Sequence, residues 1–481
     1  MEAPFHLLEG NPSNGRDIMA THRHHGKHPS NDLTINPLYA RSGETSIPRY
    51  RLPERGLLPD TAYQIVHDEI ALDGNARLNL ATFVGTWMEP EAQRLYAETA
   101  DKNMIDKDEY PQTASIEDRC IRIMADLWHA PDPHRAIGVS TTGSSEACML
   151  GGLALKRRWQ RRRREQGKSV EHPNIVFSSA VQVVWEKFAA YFEVEPRYVD
   201  VTPDRPHLTP EGVLEAVDEN TIAVVPVLGV TYTGIYEPVA EISAALDRYQ
   251  AQTGIDIPVH VDAASGGFVA PFLQPDLVWD FRLPRVQSIN TSGHKYGLVY
   301  PGLGWALWRD EAAVPKELVF EVSYLGGSMP TFGLNFSRPG AQVLLQYYNF
   351  LRLGRNGYYQ VQHACQQVAH FLSREISKMP EFELLSDGSD IPVFAWKKAD
   401  PSGWTLHDVS HLLRERGWQV PAYPLPPKME DVTIMRVVVR NSFSMDLAHL
   451  LLEDIRRAIG ILDEGGISRT ADASDDKPFH H

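Results

Sequence analysis

The sequence predicts an α/β protein with a large domain built on a parallel-dominated sheet and a small C-terminal α+β domain. Two observations lead to this prediction. First, short β-rich runs at 174–177, 222–227 and 258–262 alternate with helical stretches such as 238–252, as in a parallel sheet wrapped by helices. Second, helical patterns flank the β-type segments around Phe394 and Arg436 near the end of the chain, which is typical of a smaller mixed domain.

The chain is predicted to have four parts in order. Residues 1–60 are rich in Pro, Gly, Asn and His and lack periodicity, which favours an extended N-terminal arm with a short helix. Residues 61–360 form the large domain and end in a helical linker. Residues 361–465 form the small domain. Residues 466–481 are polar and are predicted to be a mobile tail.

Charge argues against nucleic acid as a partner. The net charge is −15, whereas binding to phosphate backbones requires a basic face. The run KRRWQRRRR at 156–164 is basic, but it continues a helical pattern that begins near Glu146. We therefore predict that this run is the solvated C-terminal end of a helix, where cations suit the helix dipole, rather than an RNA-binding patch.

Cysteine usage and hydropathy bear on the compartment. Cys120, Cys148 and Cys365 lack metal-ligand spacing and cannot form an even disulfide framework, which suits a reducing compartment. No signal-peptide pattern follows the first residue, and no apolar run approaches the roughly 18 residues that span a membrane. These features predict a soluble, cytoplasmic protein without a metal site.

The candidate catalytic residue is Lys295, in the segment SINTSGHKYG at 288–297. It follows His294 and a β-type run, among small residues that leave room for a planar ring. A desolvated lysine amine can attack an aldehyde carbon, which suits a Schiff base with pyridoxal 5′-phosphate (PLP). Taken alone, the segment is more typical of an ordinary surface lysine in a turn.

Three further segments support the PLP prediction. Asp262 ends an apolar strand and could pair with the protonated pyridine nitrogen, although it could also be a helix N-cap. The strand at 137–141 breaks into Gly143-Ser144-Ser145 before a helix, which could form an anion cup or a simple cap. Gln182, in the segment VQVVW, could cover a cofactor ring or belong to a core element.

Together these segments resemble the pyridoxal-dependent group II amino acid decarboxylases, most closely the bacterial and plant branch that acts on glutamate. The resemblance extends from about Tyr63 to about Ile461. It also includes the long motifs LDGNARLNLATF at 72–83, IDKDEYP at 105–111, GVTYTG at 229–234, WDFRLPR at 279–285 and NFSRP at 335–339. It implies fold type I of the PLP-dependent transferases (aspartate aminotransferase-like), with active sites at the interface of a homodimer, which could assemble further into a hexamer, a trimer of dimers.

The resemblance also implies a role for each matching residue. Lys295 would hold PLP through a Schiff base, and Asp262 would pair with the pyridine nitrogen. Gln182 would cover one face of the ring and Ala264 would lie under the other, while Thr231 would contact a ring substituent. The phosphate would be bound by Gly143, Ser144, Ser145, Ser292 and His294, with Ser337 reaching in from the neighbouring subunit.

Substrate roles follow from the same resemblance. Arg436 would clamp the α-carboxylate at two points, and Tyr324, in a segment that is mobile in these enzymes, would help to deliver a proton. Thr82, Phe83 and Asp106 match the positions that bind the distal carboxylate of glutamate. Because an ionised aspartate repels that carboxylate, we expect activity to be greatest in mildly acidic solution.

The two ends of the chain suggest regulation. The last four residues, PFHH, loosely resemble a tail that closes the active site of related bacterial enzymes at neutral pH, and a plain disordered tail is the alternative. The His-rich arm is better explained as a solvated segment than as a metal site. Acidic residues outnumber basic ones after Ile461 and no Trp follows, so calmodulin binding is not expected.

Other functions predict different residues. A decarboxylase for aspartate or an aromatic amino acid would share the PLP machinery without Thr82, Phe83 and Asp106. A lyase for a phosphorylated amino alcohol would need a membrane anchor or a basic phosphate pocket, and neither is visible in the sequence. A scaffold that had lost catalysis would show damage at Lys295, Asp262 or Arg436, and all three residues are intact.

Overall fold

The structure, a computed structural model, describes residues 50–54, 56–202, 205–322 and 329–465. The chain divides into two compact units, Met1–Asp73 and Gly74–His481. In the first unit, helix α1 (Pro59–Ile70) has no buried residue. Most of the predicted arm, the predicted tail with its histidines, and Tyr324 lie outside the described residues.

Helices and strands alternate through the second unit. In chain order they are α2 (Pro90–Thr99), α3 (Pro111–Leu127), β1 (Ile137–Thr141), α4 (Ser144–Glu165), β2 (Asn174–Ser178), α5 (Val183–Tyr191), β3 (Glu195–Val199), α6 (Pro210–Ala216), β4 (Thr221–Val224), α7 (Val239–Thr253), β5 (Val259–Asp262), α8 (Ala270–Leu273), β6 (Val286–Thr291), β7 (Gly304–Trp308), β8 (Phe320–Val322), β9 (Met329–Thr331), α9 (Ala341–Ile376), β10 (Phe382–Asp387), β11 (Val393–Lys398), α10 (Leu406–Glu415), β12 (Ala422–Pro424), β13 (Thr433–Val438) and α11 (Met445–Asp463).

The central sheet has seven strands in the order β1-β7-β6-β5-β4-β2-β3. Strands β2 to β6 pair in parallel, and β2, β4 and β5 are buried along their whole length, as expected for a parallel sheet that is covered on both faces. Strand β7 runs antiparallel to both of its neighbours. The prediction of a parallel-dominated sheet is therefore confirmed, and the β-rich runs at 174–177, 222–227 and 258–262 correspond to β2, β4 and β5.

The small sheet is antiparallel, in the order β10-β11-β13-β12. Its buried residues include Phe394, Trp396 and Val437, which share a hydrophobic core with Leu451 of α11. This arrangement confirms the predicted α+β character. Helix α9 is longer than the predicted linker and is interrupted at Gly354, whose φ of 57° and ψ of −173° are not helical and are readily adopted by glycine.

Helix α4 begins directly after β1 and contains the basic run in its last turns. Its last turn contains Arg162, Arg163 and Arg164, so the prediction that the run forms the end of a helix is confirmed. Its first turn follows β1 directly and approaches β7 closely, because a Cβ on Gly304 would lie 2.3 Å from the carbonyl carbon of Gly143. Among the described residues, no helix is long and apolar enough to cross a membrane.

Candidate active site

A cavity of about 350 Å³ lies at the carboxyl ends of β5 and β6, beside the N-terminus of α4. Ligand sites in α/β proteins form at this edge because the loops that follow parallel strands converge there. Most of the predicted cofactor-binding residues line the cavity: Gly143, Ser144, Ser145, Gln182, Thr231, Asp262, Ala264, Ser292, His294 and Lys295.

Lys295 lies in the interior of this cavity. Its Nζ is 3.5 Å from Ser265 Oγ and 5.1 Å from the centre of the Phe83 ring. Burial lowers the pKa of Lys295; the positive charge of Arg436 acts in the same direction, whereas Asp262 and Cys148 oppose it. A lowered pKa increases the neutral fraction of the amine, which is the form that attacks a carbonyl carbon.

Asp262 is buried at the end of β5, and its carboxylate accepts hydrogen bonds from three of the described residues. Its Oδ2 accepts from Trp185 Nε1 at 2.9 Å and lies 3.8 Å from Cys148 Sγ. Its Oδ1 accepts from Asn290 Nδ2 at 2.9 Å and from the Ala264 N–H at 3.1 Å. The bond from Ala264 is local turn capping, whereas the bonds from Trp185 and Asn290 come from distant segments of the chain.

The N-terminus of α4 provides an anion cup. The first backbone N–H groups of this 22-residue helix have no partner within the helix, and Ser144 and Ser145 add hydroxyls. Ser292 Oγ is buried and has no hydrogen-bond partner in the described part of the chain. A phosphate would supply the missing acceptor, so this part of the cavity fits the phosphate of PLP.

His294 borders the same cup as a neutral ring. Burial, followed by the charge of Lys295, lowers the pKa of His294 to about 4. Its Nδ1 accepts the backbone N–H of Leu303 at 3.2 Å, so the proton of the neutral ring is on Nε2. The Cε1 atom, next to Nε2, would lie 3.3 Å from a Cβ on Gly143. This proximity makes Nε2–H a suitable donor to an anion in the cup.

Gln182 is the N-cap residue of α5. Its Oε1 accepts the Val184 N–H at 2.6 Å, which fixes the side chain at the cavity wall. The segment VQVVW therefore starts a helix at Val183, and Gln182 itself lies outside that helix. Sequence alone could not distinguish a strand from a helix for so short an apolar run.

Arg436, Phe83 and Thr82 lie next to the cavity but not in its lining. The Arg436 guanidinium donates to the carbonyl oxygens of Thr231 and Ala81, each at 2.5 Å, and its Cζ lies 4.9 Å from the centre of the Phe83 ring. Arg436 thus connects the predicted cofactor-contacting loop to the predicted substrate segment. Each donating nitrogen keeps one further N–H, so the carboxylate clamp stays a prediction.

Asp106 and Ser337 are not brought to the cavity of their own chain. They lie on adjacent loops, because Asn103 Nδ2 is 3.4 Å from Ser337 Oγ and the backbones of Asn103 and Pro339 form a bridge. Ser337 is exposed. The role predicted for Tyr324 falls outside the described residues.

Sequence reasoning missed Trp185 and Asn290, which bond to Asp262, and His260, which bonds to Asn290. The sequence did contain a signal for these contacts. His260 and Asp262 are two residues apart on β5, as Ser288 and Asn290 are on β6, and residues two apart on a strand lie on the same face of the sheet. In the structure His260 pairs with Ser288 and Asp262 with Asn290. Recognising this required knowing that β5 and β6 are neighbours in the sheet.

Comparison with known proteins agrees with this geometry. Residues 48–397 match the model of the pyridoxal-dependent decarboxylase conserved domain. Glutamate decarboxylase of Aliivibrio fischeri is 51% identical over 461 residues, covering 95% of this chain and 99% of that protein. Glutamate decarboxylase of Lactococcus lactis subsp. lactis is 47% identical over 438 residues, covering 90% of this chain and 94% of that protein.

Solved structures give the same result. The glutamate decarboxylase of Lactobacillus brevis superposes with a TM-score of 0.87 and 48% identity, over 90% of this chain and 99% of that one. A sphingosine-1-phosphate lyase of Burkholderia pseudomallei has a TM-score of 0.73 over 86% of this chain and 94% of that one. At 22% identity, the second similarity indicates the fold alone.

Proposed function

This chain belongs to the pyridoxal-dependent decarboxylase family, and from that premise we propose that it converts L-glutamate to 4-aminobutanoate (GABA) and CO₂ with PLP as cofactor. Its fold is fold type I of the PLP-dependent enzymes. The observation that carries the proposal is one cavity that contains a buried lysine, an aspartate that accepts hydrogen bonds from three of the described residues, and an anion cup with an unpartnered hydroxyl.

We propose that each end of the cavity holds one part of the cofactor. Lys295 provides the amine for covalent attachment, and Asp262 keeps a proton on the pyridine nitrogen. Ser144, Ser292 and His294 hold the phosphate through hydroxyl and Nε2–H donors. When bound, PLP supplies the electron sink that accepts the electron pair left by departing CO₂.

The substrate would be held beside this cavity. Arg436 orients the α-carboxylate so that the bond to Cα breaks, and a proton then takes the place of CO₂ at Cα. We retain Tyr324 as the residue that helps to deliver this proton, and Thr82, Phe83 and Asp106 as the binding set for the distal carboxylate. Phe83 supports this placement, since its ring centre lies 5.1 Å from Lys295 Nζ and 4.9 Å from Arg436 Cζ.

We further propose that the active unit is at least a homodimer. Asp106 and Ser337 are predicted site residues, yet they do not line the cavity of their own chain. Their loops adjoin each other and Ser337 is exposed, as expected if both residues serve the cavity of a second copy. A mixture of Ser337→Ala subunits with Lys295→Ala subunits should then regain part of the activity, because mixed dimers contain one intact site.

The acid preference and the compartment belong to the same proposal. A carboxylate of the substrate facing Asp106 is tolerated best when one of the two acids is protonated, which favours mildly acidic solution. An activity profile that peaks above neutrality would exclude this part of the proposal. Cys120, Cys148 and Cys365 are free and buried, a state that suits the reducing cytoplasm.

The test is a substrate comparison on the purified protein loaded with PLP. CO₂ release and GABA formation are followed with L-glutamate, L-aspartate and L-tyrosine from mildly acidic to neutral pH, with Lys295→Ala as the control. We expect turnover of L-glutamate alone, and its loss in the variant. Turnover of another amino acid in preference to glutamate would leave the cofactor site standing and overturn the substrate assignment.

A further inference from the structure

A row of buried polar side chains leads from Ser288 to Asp262. The His260 ring contacts Ser288 Oγ through Nδ1 at 2.7 Å and Asn290 Oδ1 through Nε2 at 2.8 Å. Asn290 Nδ2 lies 2.9 Å from Asp262 Oδ1 and 2.6 Å from Ser144 Oγ. His260 and Asn290 are both 0% exposed, so water does not compete for these bonds.

The donors and acceptors in this row determine one another. The reverse orientation of the Asn290 amide would set its oxygen against a carboxylate oxygen of Asp262, so Nδ2 must face Asp262 and Oδ1 must face His260. His260 Nε2 therefore carries the proton, and Nδ1 accepts the hydroxyl of Ser288. Burial lowers the pKa of His260 to about 4 although Asn290 and Asp262 favour its charged form. The neutral ring that this row requires is thus the stable form near neutral pH.

Helix α4 is shaped around the His260 ring. A Cβ on Gly151 would lie 2.4 Å from His260 Cε1, closer than a side chain can approach. Alanine favours a helix more than glycine does, so glycine at this interior position is explained by the space that the ring needs. The adjacent Gly152 faces the Phe188 ring instead, at 2.6 Å from its nearest atoms.

We propose that Asn290, oriented by His260, is a positioning residue that joins the two anchor points of the cofactor. One amide nitrogen donates both to Asp262, which faces the pyridine nitrogen, and to Ser144, which faces the phosphate. The separation of these two groups is therefore set before the cofactor binds, which lowers the cost of ordering them. This inference rests on the proposed function, because it assigns the ring and phosphate ends as above.

The first test compares Asn290→Ala with the wild-type protein. The dissociation constant of PLP is measured from the fluorescence of the protein, and kcat and KM are measured with L-glutamate. Removing a buried hydrogen bond to a charged group should raise the dissociation constant about tenfold to a hundredfold. It should lower kcat while KM for glutamate stays within about twofold, because the substrate-binding residues are unchanged.

A second variant acts on the same row from outside it. Gly151→Ala leaves every polar group in place but pushes on the His260 ring, so it should weaken PLP binding in the same direction by a smaller factor. Its matched control is Gly152→Ala, which pushes on Phe188 by a similar amount. We expect both variants to lower the melting temperature, and Gly151→Ala to raise the PLP dissociation constant more than Gly152→Ala, because Phe188 is linked to Asp262 only through its packing on Trp185.

A matched control also exists for Asn290. Asn174 is another fully buried asparagine on the same sheet, and it bonds to Asp218 and Thr221 away from the cavity. Asn174→Ala should lower stability without changing PLP binding. If Asn290→Ala does not fold, Asn290→Ser replaces it, since a single short hydroxyl cannot reach both Asp262 and Ser144 and should give an intermediate loss.

The outcomes separate the inference from the function. Equal PLP dissociation constants for the Asn290 and Asn174 variants, or for the two glycine variants, would show that the row is only structural. A wild-type protein that does not turn over glutamate would instead overturn the proposed function, while the differences in PLP binding would still be measurable.

Discussion

The two edges of the central sheet each contain a buried asparagine bonded to an aspartate. They differ in the polar groups that surround this pair. At the amino-terminal edge, Asn174 donates to Asp218 at 2.8 Å and accepts from Thr221 at 2.7 Å, and Arg197 lies 2.8 Å from Asp218. Burial would raise the pKa of Asp218, but hydrogen bonds led by that of Asn174 outweigh burial and lower it. Asn174, Asp218, Thr221 and Arg197 satisfy one another without a ligand, although the adjacent Asn220 Oδ1 is buried and has no partner among the described residues.

The carboxyl edge has a similar network but retains unused groups. Asn290 and Asp262 are bonded as Asn174 and Asp218 are, yet the neighbouring Ser292 hydroxyl has no partner in the described structure. Burial at this edge also lowers the pKa of Lys295. A buried lysine is not needed to stabilise the fold. An unpartnered hydroxyl and a buried lysine amine that line the same cavity favour a ligand site at this edge.

The largest effect should follow from removing the reactive amine. Lys295→Ala should reduce kcat by about a thousandfold or more, as expected when a residue that acts covalently is lost. The melting temperature should stay the same or rise, because a desolvated amine is removed from the interior. Steady-state kinetics and thermal unfolding check both statements, and a fall in stability equal to that of a core variant would contradict them.

The two aspartates should separate activity from stability. Asp262→Asn removes the charge that faces the pyridine nitrogen and should lower kcat by about a hundredfold or more. Asp218→Asn should leave kcat unchanged and lower the free energy of unfolding by about 1–3 kcal/mol, because the ion pair with Arg197 is lost at a half-buried site. Similar kinetics for the two variants would remove the distinction between the edges.

Acid should destabilise the carboxyl edge through its two buried histidines. The pKa values of His260 and His294 are lowered from 6.5 to about 4 in the folded chain. Below the ordinary value the unfolded chain takes up protons that the folded chain does not, so stability present above pH 6.5 is lost as the pH falls towards 4. Each histidine should account for roughly 3 kcal/mol. Denaturant unfolding without PLP, repeated at several pH values, gives the free energy of unfolding as a function of pH. This free energy should fall less steeply with falling pH for His294→Gln than for the wild type.

The smallest effect should come from the unpartnered hydroxyl. Ser292→Ala should weaken PLP binding about fivefold to tenfold, the equivalent of one hydrogen bond. It should not lower stability, since this hydroxyl makes no hydrogen bond to any described residue. Thr221→Val at the opposite edge should show the reverse, a loss of about 1–2 kcal/mol in the free energy of unfolding with unchanged PLP binding. Titration of PLP and denaturant unfolding measure both quantities.

Much of this arrangement could be predicted from the sequence. Alternation of β-type and helical segments predicted the central sheet, and the segments around Gly143, Asp262 and Lys295 predicted which loops meet at its edge. These features are local. A strand that ends in small residues, or in serines before a helix, can be recognised within about ten residues of sequence.

The rest depended on pairing between distant segments. The contact of Asn290 with Asp262 needs β5 and β6 to be neighbours in one register, which no single segment reveals. The antiparallel direction of β7 and the break of α9 at Gly354 follow from tertiary packing in the same way. The sequence predicts Arg436 as a substrate-binding residue. Its hydrogen bonds to the backbone carbonyls of Thr231 and Ala81 depend on the packing of distant segments and could not be predicted.

The most direct test of the central claim is to locate the covalent attachment of PLP. The protein loaded with PLP is reduced with borohydride, which makes a Schiff base permanent, and is then digested and mapped by mass spectrometry. We predict one modified peptide, containing Lys295, and no modification when L-glutamate is added in excess before reduction. A stable adduct on another lysine, or none at all, would contradict the assignment of this cavity as the active site.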